Sequence, residues 1–325
     1  MLPDIYLCLS DNYVYGKNGM IKKIAPLIIS FLALFVVVGM GFNKSKDLKK
    51  IKVLIIDGRN NHNWKDTTPF LKAQLEGTGK FLVSVATTPP NGAKSEDWSN
   101  FNPNFSKCDV VLSNYNGAKW EPASVREAFE KFLNDGGALV NVHAANNAHK
   151  GWLGFEDATG LLWRGNKDGA RLYLDKVGQL MKVDVGKGRG AGHGPQHEYL
   201  VKIRDEEHPI TKGIPKEWLH GKDELYHGQR GPAKNMKILA TAFSDSKKGG
   251  TGVHEPMLWT IPVGKGVAVT NVLGHVGGNA KNMPAMKCVG FLTLVSRSCE
   301  WAVTGNVTIP VPSNFPTLSA VSLVK

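Results

Sequence analysis

Three histidines follow three separate apolar runs. His62 comes five residues after IKVLIID (51–57), His143 ends ALVNVH (138–143), and His275 lies just past GKGVAVTNVL (264–273). An imidazole titrates near neutrality, so such a trio can exchange protons or hold a metal ion at physiological pH. A lone histidine at a strand end usually braces a loop; three on elements that converge point to a site. Polar companions fall at similar places: Asn60 and Trp64 after the first run, Asn114 after DVVLS, and Asn146 after His143. Further clusters are HGPQHE (193–198), DELYH (223–227) and HEPMLW (254–259). Glu224 and Tyr226 offer a carboxylate and a phenol, which can hydrogen-bond a polar ligand. His197, His254 and Glu255 can ligate a divalent metal or serve as acid and base; each can equally make structural hydrogen bonds. His193 and His197 are four apart, but Gly194 and Pro195 exclude a regular helix between them, so the helical zinc-protease motif is absent.

Regular elements must bring these positions to one edge. IKVLIID is a continuous β-branched run, as a strand buried on both faces requires. Strands follow at 81–85, 109–115 and 138–143. Between them come a helix capped by Thr67 or Thr68, running to about 76, and an amphipathic helix over 121–134 with Val125, Phe129, Phe132 and Leu133 on one face. This alternation predicts an α/β fold: a three-layer αβα sandwich with a mostly parallel sheet. The glycine-rich stretch 144–195, with Trp152 and Trp163, reads as an insertion. Strands resume near 181–185, 198–203, 237–242, 256–261 and 266–272, and a helix at about 284–301 closes the domain. In such sheets ligands bind beyond the carboxyl ends of the strands, where the three histidines fall.

The chain has 325 residues, is 42% hydrophobic and 21% charged, and carries a net charge of +12, which fits a globular protein and excludes a disordered one. The basicity comes with no nucleic-acid recognition motif, so no nucleic acid partner is expected. Neither G-x-S-x-G nor a glycine-rich phosphate loop is present, which excludes a hydrolase serine elbow and a nucleotide cofactor. Residues 1–42 read as a leader. Lys22 and Lys23 precede an uncharged run over 24–42, the layout of a signal peptide or a signal anchor, and Met20 is an alternative start. The protein is therefore expected to be exported, periplasmic or extracellular, or anchored in a membrane by residues 24–42. A basic neck (43–50) can touch an anionic membrane surface or stay solvated. The domain spans 51–302, and a proline-bearing extended tail spans 303–325. Cys108, Cys288 and Cys299 read as small buried residues, the last two in one helix but too far apart to bond.

Several segments together resemble the ThuA-like (trehalose utilisation) family over about 51–302: KVLIIDGRNNHNW, GGALVNVHAA, HPITKGIP, DELYHG, HEPMLW and GKGVAVTNVLGH. The resemblance implies a fold similar to class I glutamine amidotransferases and a link to disaccharide and 3-keto-sugar catabolism. It departs from the amidotransferases at the elbow, where His143 stands in place of the cysteine nucleophile. No imidazole forms the thioester that glutaminase chemistry needs, so that activity is not expected. The resemblance implies a small carbohydrate ligand and sugar oxidoreductases as partners. His62, His143, His275 and Glu224 are then the catalytic candidates of a lyase or hydrolase acting on a (keto-)disaccharide. Trp64, Asn114, Asn146, Tyr226 and His254 are the substrate-binding candidates. A divalent metal is a candidate cofactor. The alternatives are a non-catalytic carbohydrate-binding or scaffold protein and a metal-dependent hydrolase.

Overall fold

The computed structural model describes residues 14–16, 19–21, 49–278 and 282–325. Two compact units are present, Met1–Leu48 and Lys49–Lys325. In the first, Val14–Gly16 (β1) and Gly19–Ile21 (β2) pair antiparallel. The apolar run over 24–42 and most of the neck lie outside the described residues. Among the described residues no helix is long and apolar enough to cross a membrane.

In the second unit, Ile51–Asp57 (β3) buries Val53, Leu54, Ile55 and Ile56. Its alternate side chains feed two separate apolar clusters, as the two-residue period of a strand dictates. Val53 and Ile55 pack with Leu71 and Leu75 of Trp64–Gly77 (α1) and with Phe291, Leu294 and Val295 of Val289–Thr304 (α4). Leu54 and Ile56 pack with Val125, Phe129 and Leu133 of Ala123–Asn134 (α2) and with Phe155 and Ala158 of Leu153–Thr159 (α3). Helices thus cover both faces.

The neighbours of β3 are Phe81–Thr87 (β4) and Val110–Ser113 (β5). Beyond β5 come Ala138–Val142 (β6) and Gly266–Asn271 (β13), all parallel. On the other side of β13 every pairing is antiparallel: His254–Val263 (β12), then Lys237–Phe243 (β11), His197–Ile203 (β9) and Glu217–Asp223 (β10). Arg171–Leu174 (β7) joins β12, and Leu180–Val183 (β8) joins β7.

The sheet is therefore mixed, which corrects the expectation of a mostly parallel one. The cause is local: only Gly264 and Lys265 separate β12 from β13, and a two-residue link can join only antiparallel strands. Gly264, at φ +56°, takes the first central position of that hairpin turn, where a left-handed conformation is needed.

Three details differ from the sequence reading. Helix α1 begins at Trp64, so Thr67 and Thr68 lie inside it, buried, and do not cap it. Helix α4 begins at Val289 with Cys288 as its capping residue, so Cys288 and Cys299 do not share the helix; all three described cysteines are free. Strands β7 and β10 lie where the sequence shows no clear period.

Because β12, β11, β9 and β10 alternate in direction, β10 runs the same way as the parallel strands. Its carboxyl end therefore opens on the same edge as those of β3, β6 and β13. Helix α4 packs on β6 and β13 and also on β10, where Gly290 meets the Trp218 ring. The antiparallel half thus curves back around α4 and returns the end of β10 to the loop after β13.

Candidate functional site

His143 opens a single 3-10 turn, His143–Asn147, directly after β6, and takes φ +46°. A non-glycine residue there is strained, a condition that clusters at functional turns. Its Nδ1 lies 3.0 Å from the Val272 carbonyl, just past β13. A carbonyl only accepts, so Nδ1 carries the proton and Nε2 presents a lone pair. That Nε2 faces the Tyr226 hydroxyl at 3.0 Å and His275 Nδ1 at 3.2 Å.

His62 is fixed in a similar way. Its Nδ1 sits 3.1 Å from Asn60 Oδ1, while the Asn60 amide nitrogen donates to the Asn114 carbonyl at 3.1 Å. The second bond sets the amide orientation, so Oδ1 accepts and His62 Nδ1 donates. The loop is stapled to the last one: His62 bridges Gly277, and the Asn63 amide donates to the Val276 carbonyl at 3.1 Å.

Asp223, at the end of β10 and fully buried, braces the remaining pair. Its Oδ1 accepts from the amides of Glu224 (2.7 Å) and His275 (3.0 Å), and its Oδ2 from the amide of Gly274 (2.8 Å). His220 Nε2 adds a fourth contact to Oδ2 at 2.7 Å. Glu224 Oε2 is 3.1 Å from His275 Nδ1, and its Oε1 is 3.5 Å from His193 Nε2.

The imidazole centroids lie 4.8 Å apart for His62 and His143, 4.9 Å for His62 and His275, and 5.2 Å for His143 and His275. One donor atom from each of His62, His143, Glu224 and His275 lies within 4.8 Å of all the others, a donor set that could hold a metal ion. The cleft above them has a volume of about 210 Å³. Asn61, Asn116, Asn147, Trp163 and His193 line it with Tyr226, His62, Glu224 and His275, while His143 is buried and does not line it. The Trp163 ring packs 4.4 Å from that of Tyr226. Asn147 is aimed by Arg164, which donates to its side-chain oxygen at 3.1 Å. Wider depressions, such as one of about 880 Å³ beside Phe315 and Leu318, hold no comparable group of titratable side chains.

Burial and the neighbouring imidazoles push His62 down to about 2. Burial pushes His143 down to about 4, opposed by the Asp223 charge. Both rings are therefore neutral at physiological pH. Burial would raise Glu224, but the hydrogen bond to His275 and the nearby His143, His275 and His193 imidazoles together outweigh it and hold the carboxyl below its ordinary range. Burial, reinforced by the charges of Glu224 and Asp223, keeps Tyr226 protonated.

Other candidates lie elsewhere. Trp64 heads α1 with Lys65 over its ring and does not line the cleft. Asn114 turns its amide to Thr67 and Thr68 of α1, 3.0 Å from each hydroxyl. Asn146 is buried against Gln229 at 2.6 Å. His254 faces Thr241 across the β11–β12 pair at 3.4 Å, and His197 turns back to the Pro195 carbonyl at 2.8 Å. Glu255 is buried against Arg171, with Thr251 donating at 2.7 Å, so these three do not form a common ligand set. The sequence reading missed Asn61 and Asn116 as lining residues, although each follows a strand end by a few positions.

The sequence model of a family described as ThuA, trehalose utilisation, matches residues 52–302. Among solved structures, a ThuA-like protein from Parabacteroides merdae is 40% identical, with 85% of this chain and 98% of that one covered and a TM-score of 0.79. A ThuA-like protein from Bacteroides uniformis is 18% identical, with 79% and 95% covered and a TM-score of 0.51, a likeness of fold alone. No curated protein matches the chain.

Proposed function

Because the chain belongs to the ThuA (trehalose utilisation) family, we propose that it binds and processes a carbohydrate in the cleft where His62, His143, Glu224 and His275 meet. The observation that carries this reading is the convergence of four ionisable side chains from four loops within 4.8 Å, at the floor of a cleft lined by amides and Trp163. Asparagine amides suit sugar hydroxyls, and an indole face suits the C–H face of a pyranose. A volume of about 210 Å³ holds one sugar ring, with the second ring of a disaccharide at the mouth.

The reaction class this supports is elimination from a 3-keto-glycoside. A base takes the proton on C2, the electron pair moves into an enolate on the 3-oxygen, and its collapse breaks the bond from C1 to the glycosidic oxygen. That oxygen leaves with a proton from an acid. Glu224, held ionised, is the acceptor for the C2 proton; Tyr226, held protonated, is a donor beside it. The frame is read as a three-layer αβα sandwich of the glutamine amidotransferase-like class. Helices on both faces support this, as does the strained turn of His143 after β6. With histidine at that turn, glutaminase activity is not part of the proposal. Export through residues 1–42, a membrane contact through 24–42 or the neck, and sugar oxidoreductases as partners complete the reading.

The test is a panel of disaccharides and their 3-keto forms, each with and without chelator. Elimination product from a keto form, lost in Glu224→Gln and Tyr226→Phe, supports the reading. Saturable sugar binding with no turnover of any panel member would make the protein a carrier, and neither binding nor turnover would sink the carbohydrate assignment.

A further inference from the structure

We propose that His62, His143 and His275, with Glu224 as fourth donor, bind one divalent transition-metal cation of the zinc class. The inference is independent of the carbohydrate reading, since the same donors would hold an ion whatever the substrate.

It rests on where the lone pairs are. Val272 and Asn60 fix the protons of His143 and His62 on Nδ1, so both Nε2 atoms carry lone pairs. Imidazoles that ligate metals almost always donate the other N–H to a carbonyl, an amide or a carboxylate in this manner. For a cluster meant only to exchange protons with substrate, nothing requires both rings to be locked in the same sense. Left to themselves, these lone pairs and an ionised carboxylate crowd a small space, with only the Tyr226 hydroxyl and a His275 proton to share. A cation satisfies all four donors at once.

The dimensions agree. Zinc lies about 2.0–2.2 Å from nitrogen and oxygen ligands, so tetrahedral donors sit roughly 3.3 Å apart. The four donor atoms lie within 4.8 Å of one another, and small side-chain rotations close the difference. The backbones that carry them are already tied: His275 and Glu224 share Asp223, and the His62 loop is stapled to Val276 and Gly277. Three imidazoles and one carboxylate favour zinc, cobalt or nickel over magnesium or calcium, which take oxygen ligands. The cleft on one side leaves room for a fifth ligand, an expansion that zinc permits at catalytic sites. Such an ion would act as a Lewis acid toward an oxygen that gains negative charge, a task that neutral imidazoles offering lone pairs cannot perform.

The experiment uses the full chain, stripped with chelator and checked for retained fold by circular dichroism. It is then titrated with Zn²⁺ by calorimetry and with Co²⁺ by visible absorption. One Zn²⁺ per chain is expected, with the d–d bands of a low-coordinate Co²⁺ site, and no saturation by Mg²⁺ or Ca²⁺. His143→Ala and His275→Gln should each weaken Zn²⁺ binding by at least about 100-fold, and Asn60→Ala by about 10-fold through the freed His62 ring. His197→Ala should leave affinity unchanged. The absence of 1:1 binding in the folded wild type overturns the proposal, as does Zn²⁺ affinity that survives both His275→Gln and His62→Gln. Turnover is scored separately. Failure of 1:1 metal binding with elimination intact sinks the metal site alone, and a metal bound tightly with neither sugar binding nor turnover sinks the carbohydrate reading alone.

Discussion

Trp152 and Trp163 stand eleven residues apart in one glycine-rich stretch, yet their surroundings assign them opposite tasks. Trp152 is 5% exposed and packs between Trp120, Phe129 and Phe155. Trp163 lines the cleft beside Tyr226 and His193. Trp163→Ala should weaken sugar binding about 10-fold, on the order of 1 kcal/mol, with little change in melting temperature. Trp152→Ala should cost about 3–5 kcal/mol of stability and leave the ligand affinity of the folded fraction intact. Paired thermal melts and binding titrations check both, and a melt in which Trp163→Ala is the more damaging would refute the assignment. The sequence could not separate these tryptophans, because position in a loop carries no period. The histidines were legible because each follows a buried run whose direction is fixed. Asn114 and Asn146 were legible as strand-end residues, but which way an amide turns depends on partners such as Thr67 and Gln229 that no local pattern reveals.

At the scale of elements, the contact of α4 with β10 sets the position of Asp223. Gly290 lies where an added Cβ would come 2.4 Å from the Trp218 ring. Gly290→Ala gains about 1 kcal/mol of helix propensity. It also forces overpacking against a fully buried indole, at about 1–3 kcal/mol. The collision should win, so the variant should melt at lower temperature than wild type; a rise in melting temperature would show that α4 can shift freely. The parallel half of the sheet was readable from runs such as IKVLIID. The antiparallel half was not: the runs near 256–261 and 266–272 leave only four residues between them, too few for a parallel crossover, but the partners beyond β12 carry no such local signal. Strand β10, EWLHGKD, has four polar or charged residues, Glu217, His220, Lys222 and Asp223, and shows no apolar alternation to read.

For the whole molecule, acid should be the more damaging direction. Burial is the leading cause that holds His149 at about 3 and His208, His227 and His254 at about 4. These groups are neutral in both states above an unfolded value of about 6.5. Below it the unfolded chain takes up protons that the folded chain refuses, so stability falls as pH drops from about 6.5 toward 4, by on the order of a few kcal/mol in all. His220 has the opposite sign. Burial would lower it, but Cys288 and Asp223 raise it to about 9, so its contribution is complete below about 6.5 and fades as pH climbs toward 9. Urea denaturation across pH 4.5 to 9 should therefore give a maximum near neutrality with a steeper acid limb. Equal limbs, or a steeper alkaline one, would contradict the burial of these rings.

The place of β13 has a consequence for how the protein is made. It is the last strand in the chain, yet it lies inside the sheet, between β6 on one side and β12 on the other. As a chain leaves the ribosome from its amino end, β6 and β12 each wait with an open edge until residues 266–271 have emerged and slotted between them. Open edges are templates for pairing with other chains. A nascent or truncated chain that stops before position 266 should therefore aggregate rather than settle into a smaller domain.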